Sequence, residues 1–210
     1  MPLLETIEEE LRVHGKFPQL EEIREILPYV GWENIHISPK KITLSKETKI
    51  TLDGIAKGYI VDQAAEVISK YGIKHALIDA GGDIRLIGDK DGKQKWTIGI
   101  EDPHMEKKYI QTVKLSHLAI ATSGNYRNYF DHSKKIFHII DKDLDLSPQR
   151  TISCTVMSKT ACLADGLATG FFCLSPEKAV KVANELNLPI LMVTHGERCL
   201  SSNTWEKFKT

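Results

Sequence analysis

The run of small residues from Ala161 to Gly170 constrains the fold of this chain more than any other segment. Half of the ten positions from Ala161 to Gly170 are alanine or glycine. Apolar residues around them recur at helical spacing, so we predict a helix over Leu163 to Leu174. Side chains this small leave a helix slim, and another backbone can approach it closely. The segment therefore predicts a helix against which a second element packs at short range.

The composition is that of an ordinary globular protein and argues against some partners. Hydrophobic residues make up 41% and charged residues 27% of the 210 positions, enough for a sizeable core. Lys plus Arg and Asp plus Glu are equal at 28 each, so no excess of positive charge favours nucleic acid. The four cysteines contain no Cys-x-x-Cys pair, and we interpret them as buried thiols rather than a disulfide or metal framework.

Helical and strand-like periods follow one another along the chain, which predicts an α+β fold of mixed sheets with packed helices. Helical spacing covers residues 3–11, 19–27, 55–71, 163–174 and 177–186. Short strands are predicted at 35–37, 42–44, 50–52, 75–79, 84–87, 96–100, 137–140, 152–157 and 189–194, with a last one near Cys199. Residues 112–115 and 118–121 are expected to pair with each other. Because no linker or repeat interrupts the pattern, residues 1–210 are predicted to form a single domain.

The beginning of the sequence bears on the cellular compartment. Residues 1–16 have an acidic amphipathic pattern without the basic start and apolar run of a signal peptide. As written, the chain is expected in the cytoplasm. If an N-terminal signal precedes it, a membrane-anchored periplasmic lipoprotein is expected instead.

The segment from Asp53 to Gly58 (DGIAKG) is a candidate for phosphate binding. It leads into the helix predicted over residues 55–71, and free N–H groups at a helix start suit an anion. Its glycines allow close approach of a ligand, and Lys57 adds a mobile cation. The alternative is a plain turn into a helix with a surface lysine, because the spacing matches neither of the common glycine-rich nucleotide loops.

Asp165 and Thr169 are a candidate magnesium site. They stand four residues apart on the predicted small-residue helix, so their oxygens project from the same face. Mg²⁺ takes few protein oxygens and completes its octahedron with water and substrate phosphates. The alternative is a side-chain hydrogen bond between neighbours.

Three further segments carry weaker signals. The Gly-Gly pair in Asp79 to Ile84 is often only a tight turn or a bulge. His138, in the segment His138 to Asp141, is either a catalytic group or a structural histidine. Residues Thr122 to Tyr126 form a polar turn that either binds a ligand or simply reverses the chain.

Six segments in this order resemble the FAD:protein FMN transferases of the ApbE type, historically labelled thiamine-biosynthesis lipoproteins. They read LDGIAKGYIVD (residues 52–62), AGGDI (80–84), WTIGIEDP (96–103), ATSGNY (121–126), HIID (138–141) and ADGLAT (164–169). The resemblance implies an ApbE-like, T-fold-related core that is shortened at its N-terminus, since such enzymes carry a further region before the first helix of this chain. The loop after HIID is also about one residue shorter than in many such enzymes.

The resemblance implies a magnesium-dependent flavin transferase. Enzymes of this type cleave FAD at its pyrophosphate, attach the FMN half to a threonine or serine hydroxyl of a target protein and release AMP. The implied partners are FAD and an acceptor flavoprotein, typically a subunit of a membrane redox complex. Two alternatives stay open: hydrolysis of FAD to FMN and AMP, and a truncated non-catalytic flavin-binding or partner protein. A homo-oligomer that covers surface left by the absent region is also considered.

The resemblance also implies roles for individual residues. The metal ligands would be the backbone carbonyl of Ala56 with Asp165 and Thr169. The positions expected to line the FAD site are Asp53, Tyr59 and Ile140. His138 is the candidate catalytic residue, either as the base or as a donor to the flavin-side phosphate.

Overall fold

The computed structural model describes residues 2–16, 18–45, 47–105, 107–125, 139, 148–196 and 198–210. The chain folds into two compact units, residues 1–52 with 129–147 and residues 53–128 with 148–210. The single domain expected over residues 1–210 stays a prediction. In the described part of the chain, the helices are too short or too polar to span a membrane.

Among its described residues, the first unit contains two helices and a hairpin. Its elements are α1 (Pro2–His14), α2 (Leu20–Ile26), β1 (Ile35–Ser38) and β2 (Lys41–Leu44), with 3₁₀ turns at Leu27–Tyr29 and Trp32–Asn34. Leu3 and Ile7 lie one turn apart on α1 and are buried together with Ile23 of α2. This pairing confirms the two amphipathic helices predicted near the start of the chain.

The second unit carries most of the secondary structure. Its elements are α3 (Asp53–Lys70), β3 (Ala76–Ala80), β4 (Asp83–Ile87), β5 (Trp96–Glu101), β6 (Tyr109–Leu115), β7 (Ala119–Gly124), β8 (Thr151–Ser158), α4 (Ala161–Phe172), α5 (Pro176–Glu185), β9 (Ile190–Thr194) and β10 (Cys199–Ser201). In the part of the chain that the structure describes, six strands form a sheet in the order β10-β9-β8-β7-β4-β3, and β5 pairs with β6 in a separate hairpin. Each of these pairings is antiparallel. The α+β prediction with packed helices is confirmed.

Two packing clusters cover the two faces of this sheet. On one face, Ile120 and Met157 pack with residues of the β5–β6 hairpin and with Trp205. On the other face, Ala119 and Ala121 of β7 pack with Val61 of α3 and with α4. Because the residues at this second contact are mostly alanines, α3 and α4 can lie close to the sheet.

Two local predictions were wrong. Residues 112–115 pair with β5 rather than with 118–121, for example Val113 opposite Ile98, while β7 pairs with β4 and β8. Alternation of apolar residues identifies a strand but does not specify its partner. Residues 50–52 form no strand, and α3 begins directly at Asp53.

The cysteines are less uniform than the sequence suggested. All four lie in the described part of the chain and none forms a disulfide. Cys154 is fully buried in β8, whereas Cys162 and Cys173 are only half-buried and Cys199 is exposed. The interpretation as thiols is confirmed, but the expectation that they are buried holds only for Cys154.

Candidate functional site

The close packing predicted for the small-residue helix is found between α3 and α4. A Cβ atom at Gly58 would lie 2.4 Å from the carbonyl oxygen of Ala161, and one at Gly54 would lie 3.5 Å from the Thr169 hydroxyl. Gly54, at the start of α3, faces Thr169 near the end of α4, whereas Gly58, one turn later, faces Ala161 at the start of α4. The two helices are therefore antiparallel. Glycine at position 58 is required because any side chain would meet the backbone of α4.

This packing brings Asp165 and Thr169 against the first turns of α3. Asp165 is buried, with 7% of its surface exposed, and its Oδ2 accepts a hydrogen bond of 3.1 Å from the N–H of Gly58. The hydroxyl of Thr169 shares a 2.9 Å hydrogen bond with the hydroxyl of Ser123 on β7. Among the described residues, no hydrogen bond joins Thr169 to Asp165, unlike the alternative interpretation of their spacing. Ala56 lies on α3 between the two glycines that contact α4.

The start of α4 is fixed by a residue of α3. Both carboxylate oxygens of Asp62 accept backbone hydrogen bonds there, 2.8 Å from the N–H of Ala161 and 2.9 Å from the N–H of Cys162. Arg85 on β4 lies 3.6 Å from the same carboxylate. A carboxylate at a helix N-terminus satisfies free N–H groups and complements the helix dipole. Asp62 thus sets the position of α4, and with it the position of Asp165.

A second buried carboxylate, Asp83, lies beside Asp165. It is 1% exposed, and its Oδ1 is 3.3 Å from the Nζ of Lys57, whose side chain is 47% exposed. The β3–β4 turn that leads to Asp83 is held by Asp79, whose Oδ1 accepts the N–H of Gly82 at 2.8 Å. The other oxygen of Asp83, Oδ2, has no hydrogen-bond partner among the described residues.

The two carboxyl groups change each other's proton affinity. Burial and the negative charge of Asp165 raise the pKa of Asp83 to about 7, against the opposing effect of Lys57. Burial likewise raises the pKa of Asp165, opposed by the N–H of Gly58 and the charge of Lys57. Both carboxyls and one ammonium therefore share a site in which the negative charge is only partly compensated.

This raised pKa predicts how stability depends on pH in the metal-free protein. The folded state holds the Asp83 proton up to about pH 7, whereas the unfolded chain loses it near 3.8. The free energy of unfolding should therefore fall as pH rises across that window, by up to about 1.4 kcal/mol per pH unit. Denaturant unfolding in EDTA at pH 5 and pH 8 measures this fall.

Two variants check that Asp83 is the source of the pH dependence. Asp83→Asn should reduce the slope, whereas Lys57→Met should extend the fall to higher pH because it removes the compensating charge. An unchanged slope in Asp83→Asn would contradict the assignment.

The donors present fit a magnesium ion. A carboxylate and a hydroxyl oxygen, from Asp165 and Thr169, are ligand types that Mg²⁺ prefers, and the unpartnered Oδ2 of Asp83 leaves negative charge for a cation to compensate. Among the residues described, no group of three or more His, Cys, Asp or Glu side chains is arranged to enclose a metal.

The structure describes two of the four remaining predicted site residues. Asp53 and Tyr59 both lie on α3 with exposed side chains, Tyr59 at 55%. His138 and Ile140 lie outside the described residues, so their roles stay predictions. The sequence patterns indicated no role for Asp83, although its segment AGGDI was recognised, and none for Asp62. The contact between Ser123 and Thr169 was signalled only by the polar segment 122–126. The turn predicted there was wrong for Thr122 to Gly124, which belong to β7.

Curated proteins with similar sequences include several FAD:protein FMN transferases. The chain is 37% identical over 181 residues to an FAD:protein FMN transferase of Vibrio cholerae serotype O1, covering 83% of this chain and 54% of that protein. It is 33% identical over 203 residues to an FAD:protein FMN transferase of Haemophilus influenzae, covering 92% and 59%. The chain thus spans little more than half the length of these relatives.

The fold of this chain also matches solved structures. An ApbE protein from Thermotoga maritima matches with a TM-score of 0.89 at 30% identity, over 100% of this chain and 71% of that one. The flavin transferase ApbE from Vibrio cholerae matches with a TM-score of 0.79 at 30% identity, over 92% and 63%. The sequence model described as the ApbE family matches residues 2–192. Since that match covers nearly the whole sequence, and the fold agrees with solved ApbE structures, this chain belongs to the ApbE family.

Proposed function

We propose that the chain acts as a magnesium-dependent transferase that moves FMN from FAD onto a threonine or serine hydroxyl of a target protein. The observation that carries this proposal is the contact between α3 and α4, where Asp165 and Thr169 meet the first turns of α3. An oxygen-rich site beside a helix start and a lysine suits a cation bound to a pyrophosphate. The names of the curated relatives support the same reaction class.

The proposed reaction breaks the phosphoanhydride bond of FAD and forms a phosphoester bond to the acceptor. The acceptor hydroxyl oxygen forms a bond to the phosphorus of the FMN half, the bond from that phosphorus to the bridging oxygen breaks, and AMP leaves with that oxygen. The hydroxyl proton passes to a base, for which His138 is proposed. Bound Mg²⁺ would supply charge neutralisation at the leaving phosphate.

The residues of this chain would act mainly by holding groups in place. Asp165, Thr169 and the carbonyl of Ala56 are proposed to hold the cation. The hydrogen bonds of Asp165 with Gly58 and of Thr169 with Ser123 fix the two side chains before any ligand arrives. Such preorganisation lowers the cost of binding, since the donors need no rearrangement. Asp53, Tyr59 and Ile140 are proposed to line the FAD.

Lys57 is proposed to face the pyrophosphate. Its ammonium is half-exposed and is held at one side by Asp83, which leaves N–H donors available for a second anion. An ammonium group is a common binder of phosphate as a point charge. The acceptor is proposed to be a flavin-carrying subunit of a redox complex.

The direct test is incubation of the full chain with FAD, Mg²⁺ and a redox subunit that bears an acceptor threonine. We expect AMP release and a covalent FMN adduct on the acceptor by mass spectrometry, both absent in EDTA. An acceptor in which valine replaces the threonine is the matched control and should stay unmodified.

The other functions give different products in the same experiment. Release of AMP and FMN without an adduct would indicate FAD hydrolysis. No AMP at any Mg²⁺ concentration would contradict an enzymatic function of this chain and favour a flavin-binding or partner role.

A further inference from the structure

The environment of Asp83 is not explained by its ion pair alone. Only 1% of the residue's surface is exposed, yet Oδ1 is the one carboxylate oxygen with a described partner, the Nζ of Lys57 at 3.3 Å. Oδ2 is buried without a hydrogen bond from any described residue. A buried carboxylate oxygen without a donor is costly, and native structures seldom keep one without a use.

Asp83 and Asp165 contact adjacent residues of α3, since Asp83 pairs with Lys57 and Asp165 accepts the N–H of Gly58. Asp165 already uses its Oδ2 to accept the N–H of Gly58. A proton held by one carboxyl could be shared with the other, but once both are ionised both are acceptors, and neither can satisfy the other. A positive charge placed between them would satisfy both, and Lys57 supplies only one charge, from one side.

We propose that Asp83 is a positioning residue of the Asp165 site, holding Lys57 with one oxygen and directing the charge of the other toward the divalent cation. This inference rests on the proposed function, because it deepens the same cation site. Asp83 acts through its neighbours: its charge strengthens the attraction of the site for a cation, and its ion pair sets where the ammonium of Lys57 meets an anionic ligand.

A purely structural role for Asp83 gives a different expectation. In that case the ion pair would only attach the β3–β4 turn to α3, and loss of either partner would lower stability in the same direction. In the proposed role the two partners have opposite effects on the cation. Removing the carboxylate weakens cation binding, whereas removing the ammonium strengthens it.

The test measures Mn²⁺ binding to the full chain by the loss of the free-ion EPR signal, without FAD. We expect Asp83→Asn to weaken binding by about tenfold or more, as is common for groups just outside the ligand shell. Lys57→Met should tighten Mn²⁺ binding and weaken binding of ADP, used as a pyrophosphate probe. The matched control is Asp79→Asn, which removes an exposed charge on the same turn but keeps an acceptor for the N–H of Gly82. Its Mn²⁺ affinity should stay within about twofold of the wild type.

Asp165→Ala separates failure of the inference from failure of the proposed function. If Asp165→Ala loses Mn²⁺ while Asp83→Asn binds as the wild type does, the inference is overturned and the metal site stands. If the wild type binds no Mn²⁺, or Asp165→Ala binds it equally well, both are overturned. Should Asp83→Asn fail to fold, Lys57→Met decides alone, because unchanged or weaker Mn²⁺ binding in that variant contradicts the inference.

Discussion

Asp165→Ala is expected to reduce FMN transfer by at least about a hundredfold, as removal of a group that stabilises transition-state charge commonly does. The substitution removes the buried carboxylate proposed to hold the cation, and with it the side-chain acceptor of the N–H of Gly58. The measurement is the initial rate of FMN adduct formation on the acceptor protein at saturating FAD and Mg²⁺.

Asp165→Asn distinguishes the two consequences of that change. An asparagine oxygen still accepts from the N–H of Gly58, so the contact between the helices is kept while the charge is lost. We expect this variant to unfold at nearly the wild-type denaturant concentration but to transfer FMN as poorly as the alanine variant. Transfer at the wild-type rate would contradict the role of Asp165 in binding the cation.

Gly58→Ala is expected to lower the free energy of unfolding by about 1–3 kcal/mol or more, because overpacking usually costs that much. Its Cβ would lie 2.4 Å from the carbonyl oxygen and 2.6 Å from the carbonyl carbon of Ala161, and 2.7 Å from the backbone nitrogen of Cys162. These atoms belong to the backbone of α4 and cannot move aside as a flexible side chain would. The helices must separate, and Asp165 then loses its contact with α3. Urea denaturation gives the change in free energy.

Gly170→Ala is the matched control, because it adds the same methyl group on α4 where no atom lies within 4 Å. Alanine is favoured over glycine inside a helix, so this variant should be more stable than the wild type by about 0.5–1 kcal/mol. Equal stability of Gly58→Ala and the wild type would show that the two helices do not depend on the close approach.

The described part of the candidate metal site lies entirely within the second unit. Ala56, Asp165 and Thr169 belong to α3 and α4, and Ser123 and Asp83 come from the sheet beneath these helices. The chain spans 54% and 59% of two curated relatives, and α3, α4 and the sheet beneath them all lie within this chain. For this reason cation binding by the isolated chain is a sharper first experiment than transfer, which also needs FAD and an acceptor.

Much of this site could be predicted because its signals are local. The spacing of Asp165 and Thr169 requires only a helix to put both oxygens on the same face. The alanines and glycines around them predicted a close neighbour, which the contacts of Gly54 and Gly58 confirm. Patterns of this kind depend on the helical repeat, which a single sequence displays directly.

The tertiary structure alone decided which distant groups meet. Asp62 fixes the start of α4 from about a hundred residues away, and Asp83 reaches Lys57 and Asp165 from a different element. Likewise, β6 pairs with β5 rather than with the strand that follows it. The sequence by itself determined most of the elements, the small-residue helix and the candidate ligands on it. The balance of positive and negative charge in the site could be known only from the tertiary structure. Burial and Coulomb interaction depend on distances in space, which sequence separation does not determine.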